Sequence, residues 1–390
     1  MPGMVLNLSY SKCKRRPLRN ALGAAKTSLE VETKWLNKIS GKWSFQIVRR
    51  CVPCLLVDAG NIWQFKRLDG LWGRKFNGPN VNVLARKIKG WVLMMAKRSL
   101  VLLIMGLMSY AAAASPRSRL IEVAPHVHLR ILEEGRASAR PTLVLIPGWR
   151  LTANIWSRQI ESFGRDRRVI AIDPRSQGES TKTDEGDTPE QRARDYHVLL
   201  NSVHAGTMVL VGWSQGVQDV AAYVDQFGTD GIGGIILVDS TISKGAANVP
   251  NELPFAVQQL RLLPLLSESP RDYTEGMMRA IHSKPLPDSE LNRLIADALK
   301  TPTATGEAML IADLFGKDRT GAVPKFTVPT LIVASGRSAE LEQQDALAKQ
   351  LPNARIVVVA EAGHAVFADQ PERFESIVRD FLDHQIGESG

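Results

Sequence analysis

At 390 residues the chain is long enough for one large domain with additional segments, and its net charge of +9 resembles that of a nucleic-acid or membrane-surface binder. That charge is unevenly spread: residues 1–94 carry 18 Lys/Arg against four Asp/Glu, a net of +14, and residues 95–390 a net of −5. For the body of the chain this excludes a nucleic-acid function inferred from isoelectric point. A disulfide scaffold is excluded as well, because Cys13, Cys51 and Cys54 all lie in the first segment.

Residues 1–94 hold five of the eight tryptophans, show no sustained periodicity, and place the Cys51-Val-Pro-Cys54 pair in no βαβ pattern. They are expected to be a start-site artefact or a disordered leader. Residues 95–114 read as a signal peptide: Lys97 and Arg98 precede an apolar run at 100–108, and small residues follow at 111–114. The apolar run is too short to span a bilayer. A signal peptide acts only at an N-terminus, so translation from Met94 or Met95 is expected, with residues 115–390 as an exported domain, periplasmic or secreted, that lacks cysteine.

Beyond residue 119, short β-branched runs alternate with amphipathic stretches, which predicts an α/β fold with a mostly parallel sheet flanked by helices. Strands are predicted at 127–132 (an edge), 142–146, 168–172, 209–211, 235–238, 331–333 and 356–359. The segment Thr188-Pro189-Glu190-Gln191 predicts a helix start with Thr188 as cap, Pro189 in the first turn and Gln191 closing a capping box; that helix should end near 205–206. Between 240 and 329 the β pattern disappears, and Pro-punctuated helical segments at about 255–266, 273–282, 289–299 and 306–314 predict a helical lid, about 241–329, inserted after strand 6 (235–238). In the last helix, Phe374, Ile377, Val378, Phe381 and Leu382 form one apolar stripe.

Gly212-Trp213-Ser214-Gln215-Gly216 follows an apolar strand and opens a helical stretch, the setting of a nucleophile elbow. The turn is so sharp that the positions two before and two after the serine have no room for a side chain, and both are glycine. A serine hydroxyl needs a base to remove its proton. Of seven histidines, His364 follows the last core strand in Ala362-Gly363-His364, at the sheet edge where open α/β folds place their sites. His126, His128, His197, His204 and His384 read as surface or packing residues, and His282 as an exposed lid residue with substrate contact as the alternative. Two carboxylates compete as the acid that orients His364: Asp239, the preferred one, at the end of strand 6, and Glu340, in the loop after the next strand.

Pro147-Gly148-Trp149, the run from Asp173 to Ser180, Gly212 to Gly216 and Gly363-His364, in that order, resemble the α/β-hydrolase family, and in particular its lid-bearing branch of serine esterases, cofactor-free haloperoxidases and C–C hydrolases. The resemblance covers about residues 120–385. It implies an oxyanion hole made by the backbone N–H groups of Trp149 and Gln215, and no cofactor or metal. Ser176 stands where the family motif has glycine, and the loop after Gly336 lacks the usual aspartate. The expected function is cleavage of small apolar esters or related acyl compounds, with a non-catalytic receptor, or C–C hydrolase or perhydrolase chemistry, as alternatives. Trp149, Trp156 and Trp213 are expected either at the entrance or in the core.

If residues 95–114 are an export signal, protein isolated from its own host has its N-terminus near Ser115 and no cysteine to alkylate. N-terminal sequencing checks this; abundant peptides from residues 34–89 in the mature protein would contradict it.

Overall fold

A computed structural model describes residues 116–248 and 253–386, with backbone alone at 248 and at 253–256. The expectations for residues 1–94 and 95–114 therefore lie outside the described residues. Eight strands form one sheet: β1 (Arg117–Ala124), β2 (Val127–Glu134), β3 (Thr142–Ile146), β4 (Val169–Ile172), β5 (Met208–Trp213), β6 (Ile232–Val238), β7 (Thr330–Ser335) and β8 (Ala354–Val359). Their spatial order is β1-β2-β4-β3-β5-β6-β7-β8. β1 pairs with β2, and β2 with β4, antiparallel; every other pairing is parallel.

The helices, in chain order, are α1 (Ser157–Gly164), α2 (Pro189–Ser202), α3 (Gln215–Phe227), α4 (Leu253–Glu268), α5 (Pro270–Ile281), α6 (Asp288–Ala298), α7 (Thr303–Phe315), α8 (Leu341–Gln350), α9 (Val366–Asp369) and α10 (Pro371–Phe381). Successive strand residues point to opposite faces, so each central strand feeds two cores. Leu143, Leu145, Val209 and Val211 pack with Phe163 of α1 and with Phe374 and Phe381 of α10. Val144, Ile146 and Leu210 pack with Tyr196 of α2, Val220 of α3 and Leu347 of α8. α4 to α7 form the expected helical insertion between β6 and β7.

Three local expectations need correction. β2 is not the edge strand, because β1 covers it; β1 is mostly exposed and rich in polar residues, so it carries no apolar run to read. Thr188 does cap α2, its hydroxyl accepting the Gln191 N–H at 3.3 Å, but the capping box does not close: the Gln191 side chain bonds Asp195 and Arg194 instead. α2 also ends at Ser202, before His204 and Gly206, which both take positive φ.

α2 and α3, the helix that Ser214 precedes, are joined by a buried ionic cluster. Arg192 Nη2 lies 2.8 Å from Asp219 Oδ1, and the Tyr196 hydroxyl donates to Asp219 Oδ2 at 2.8 Å. Burial opposes the Arg192 charge, yet the facing Asp219 carboxylate outweighs it and holds the guanidinium above its usual range. Asp219→Ala leaves a buried cation unpaired and is expected to lower unfolding free energy by about 3–5 kcal/mol in denaturant titration. A loss under about 1 kcal/mol would show that the cluster does not hold the two helices together.

Candidate active site

After β3 the chain runs to β4 on one side and then crosses to β5 on the other, so strand order reverses at β3. In open α/β sheets this switch point, at the carboxyl ends of the strands, opens a crevice. The loop after β3 and the elbow after β5 meet there. Gly148 approaches so closely that a Cβ on it would lie 3.1 Å from Ser214 Cβ and 3.5 Å from Ser214 Oγ.

Ser214 takes φ 56° and ψ −122°, a region that a side chain rarely occupies. The two glycines explain how the turn is tolerated. A Cβ on Gly212 would lie 2.4 Å from the Gly216 carbonyl oxygen, and one on Gly216 would lie 2.7 Å from the Ile146 carbonyl oxygen. The turn therefore projects Ser214 into a cavity of about 900 Å³ that His364, Asp239, Gln215, Trp149 and Glu340 also line. The backbone N–H groups of Trp149 and Gln215 have no hydrogen-bond partner among the described residues, which leaves both available as donors.

The structure separates the two carboxylates. His364 Nδ1 lies 2.8 Å from Asp239 Oδ2, whereas Glu340 accepts from the Ser240 hydroxyl at 3.3 Å. Asp239 itself is buried at φ 45°, and its other oxygen accepts the Ser335 N–H at 2.8 Å and Gln344 Nε2 at 3.3 Å. With both oxygens engaged, its carboxylate plane is fixed.

The His364 loop is held from three sides. Trp213 Nε1 donates to the His364 carbonyl at 2.9 Å. Asp369 Oδ2 accepts the Gly363 N–H at 2.6 Å and the Ser283 N–H at 2.7 Å, and the Ala365 N–H donates to Ile281 O at 2.8 Å. The last two bonds tie the loop to the end of α5. A Cβ on Gly363 would sit 2.9 Å from Asp369 Oδ2, Ile281 O and Ser283 N, so this close approach admits only glycine.

Gln344, Ser335 and Asp369 carry no signal in the sequence, because they act through packing between distant elements. Trp149 and Trp213 line the cavity, but Trp156 is fully buried against Phe367 and Phe374 and belongs to the core. His282 is buried rather than exposed: it lines the cavity, and its Nδ1 lies 2.8 Å from the Met278 carbonyl. Ser176, in the position usually glycine, takes φ 63°, and its hydroxyl accepts the Thr183 N–H at 3.1 Å. Among the described residues, no group of three or more His, Cys, Asp or Glu side chains can hold a metal, and no helix is long and apolar enough to cross a membrane.

Residues 143–377 match the model of the alpha/beta hydrolase family. The chain belongs to this family and is a hydrolase of the α/β type. It is 28% identical over 257 residues to the non-heme chloroperoxidase CPO-A1 of Kitasatospora aureofaciens, covering 62% of this chain and 90% of that one. It is 27% identical over 252 residues to the N-formylmaleamate deformylase of Pseudomonas putida, covering 63% and 89%. Among solved structures, an esterase from Exiguobacterium antarcticum superposes with a TM-score of 0.61 at 18% identity, over 68% of this chain and 99% of that one.

If Asp239 orients His364, Asp239→Asn is expected to lower kcat by roughly 10²–10⁴-fold through a mis-set tautomer, while Glu340→Gln stays within a few-fold. Steady-state kinetics on a chromogenic ester compares the two. Equal, mild losses would show that neither carboxylate has this role.

Proposed function

We propose that the chain is an exported serine hydrolase that cleaves small, largely apolar esters or related acyl compounds. The observation that carries this reading is the Asp239–His364 hydrogen bond, formed in the same cavity into which the strained elbow projects Ser214. Ser214 Oγ attacks the acyl carbon while His364 takes its proton, and Asp239 accepts from Nδ1–H and stabilises the resulting imidazolium. The carbonyl oxygen, now an oxyanion, is met by the N–H groups of Trp149 and Gln215. Collapse of the intermediate expels the alcohol, which takes the proton from His364. Water, deprotonated by the same base, then releases the acid and restores Ser214.

A cavity of about 900 Å³ suits a small molecule. Its walls include Trp149, Tyr273, Met277, Ile281 and Leu314, which favour an apolar substrate body. Export is supported by the order of basic, apolar and small residues at 95–114. The similarity to a non-heme chloroperoxidase favours one second reading: perhydrolysis, with hydrogen peroxide replacing water in the second step.

Ser214→Ala and His364→Ala are each expected to lower turnover of p-nitrophenyl butyrate by on the order of 10⁴-fold, and the double variant is expected to be no worse, because the pair acts as one unit. A Ser214→Ala enzyme that keeps more than about a tenth of wild-type kcat would contradict the assignment.

A further inference from the structure

The turn after β3 breaks several local rules at one residue. The Leu151 N–H donates to the Gly148 carbonyl at 3.1 Å, and Arg150, third in that turn, takes φ 57°, a region that favours glycine. The Arg150 side chain is fully buried and makes no ion pair among the described residues. Its one hydrogen bond runs from Nη1 to the Thr274 hydroxyl of α5 at 3.3 Å, and Nε and Nη2 have no partner among the described residues. Both nitrogens are sealed, and Arg150 does not line the cavity, so what they lack is not a substrate group.

Burial pushes the guanidinium below its usual range, against the pull of Tyr273 and Glu307. Glu307 does not pair with it; that carboxylate accepts from the Ser267 hydroxyl instead. Arginine stays protonated even so. A cation buried without a carboxylate in contact is destabilising, and local rules broken together at one position are the signature of function rather than of stability. Its place shows which function. The guanidinium carbon lies 5.5 Å from the centre of the Trp149 ring, which lines the cavity and donates from its indole to the Gly306 carbonyl. Gly306 makes room for the stem, since a Cβ there would lie 2.8 Å from Arg150 Cδ. The charge is therefore held behind the Trp149 wall, on the residue next to a proposed oxyanion donor.

We propose that Arg150 is a positioning residue for the oxyanion: acting through Trp149, it fixes the turn that presents the Trp149 N–H and backs it with a buried positive charge. When Ser214 Oγ adds to the acyl carbon, its proton passes to His364 and the carbonyl oxygen takes up the negative charge. That oxygen is the counter-charge that the resting fold withholds from Arg150, and away from water the attraction between them is strengthened. The substrate carbonyl carries no such charge, so the effect falls on the transition state. This rests on the serine-hydrolase reading of the site.

The test compares Arg150→Met, which keeps the length of the side chain without its charge, with Arg150→Lys, which keeps the charge. On p-nitrophenyl butyrate, with rates divided by the active-site concentration from fluorophosphonate titration, Arg150→Met is expected to lower kcat by roughly ten- to hundredfold and to leave KM within about threefold. Arg150→Lys should recover most of that loss. Affinity for 1,1,1-trifluoro-4-phenylbutan-2-one, whose carbonyl oxygen becomes an oxyanion when Ser214 adds to it, should fall by the same factor as kcat/KM. Affinity for 4-phenylbutan-2-one should not change. The thermal midpoint of Arg150→Met is expected at or above that of wild type, because a neutral side chain replaces an unpaired buried cation. A residue that only holds the fold gives the opposite sign. A kcat within about twofold of wild type, equal losses in the two variants, or a lower midpoint or failure to fold in Arg150→Met overturns the proposal. Wild-type rates retained by Ser214→Ala would instead overturn the serine mechanism, and this role with it.

Discussion

The lack of space for a Cβ at Gly212 and Gly216 is the constraint from which the rest of the site follows. Each glycine lets one piece of backbone approach another at a distance that no side chain permits: Gly212 against the carbonyl of Gly216, and Gly216 against that of Ile146. Together they lock the ends of β3 and β5 and the first turn of α3 into one knot. Ser214 sits at its apex with a positive φ that this packing enforces. The strain is local, and the sheet interior beneath it is fully buried and regular. One steric fact thus sets the direction of the hydroxyl, the position of the Gln215 N–H and the closeness of Gly148.

Around this knot, the other groups come from strand ends that the parallel sheet brings side by side. Asp239 ends β6, Ser335 ends β7 and His364 follows β8. Registers between neighbouring parallel strands place these ends at one level. Ser335 contributes twice: its N–H holds Asp239, and its hydroxyl donates to the Ala362 carbonyl at 2.8 Å, two residues before His364. Asp239 and the loop that carries His364 are therefore anchored to the same residue. Such anchoring limits how far the imidazole can swing, as the proposed proton transfer requires.

The parts of this arrangement that obey short-range rules were legible in the sequence. Strands buried on both faces read as apolar runs, the elbow as two glycines around a serine, and the insertion as a loss of β pattern after strand 6. The parts that were not legible depend on contacts between distant segments. β1 was missed because it is an exposed edge with few apolar residues. That His364 meets Asp239 and not Glu340 turns on a loop conformation, with φ 45° at Asp239, that no local pattern encodes. His282 looked exposed because a lone histidine at a helix end has no periodicity to place it. Only the packing of α5 over the cavity shows it to be buried.

The helical insertion is bound directly to the His364 loop through Asp369, Ser283 and Ile281, and it reaches Trp149 through the hydrogen bond from its indole to the Gly306 carbonyl at 2.8 Å. The cover of the cavity and the His364 loop thus form one hydrogen-bonded unit, so the shape of the cavity and the placement of His364 are set together. The proposed serine-hydrolase chemistry depends on Ser214 being a nucleophile made reactive by its surroundings. The most direct measurement is peptide mapping by mass spectrometry after treatment with a fluorophosphonate. A single stoichiometric adduct on the peptide that contains Ser214, formed under native conditions and lost on denaturation before labelling, is the predicted result. An unmodified protein, or an adduct on any other residue, would contradict it.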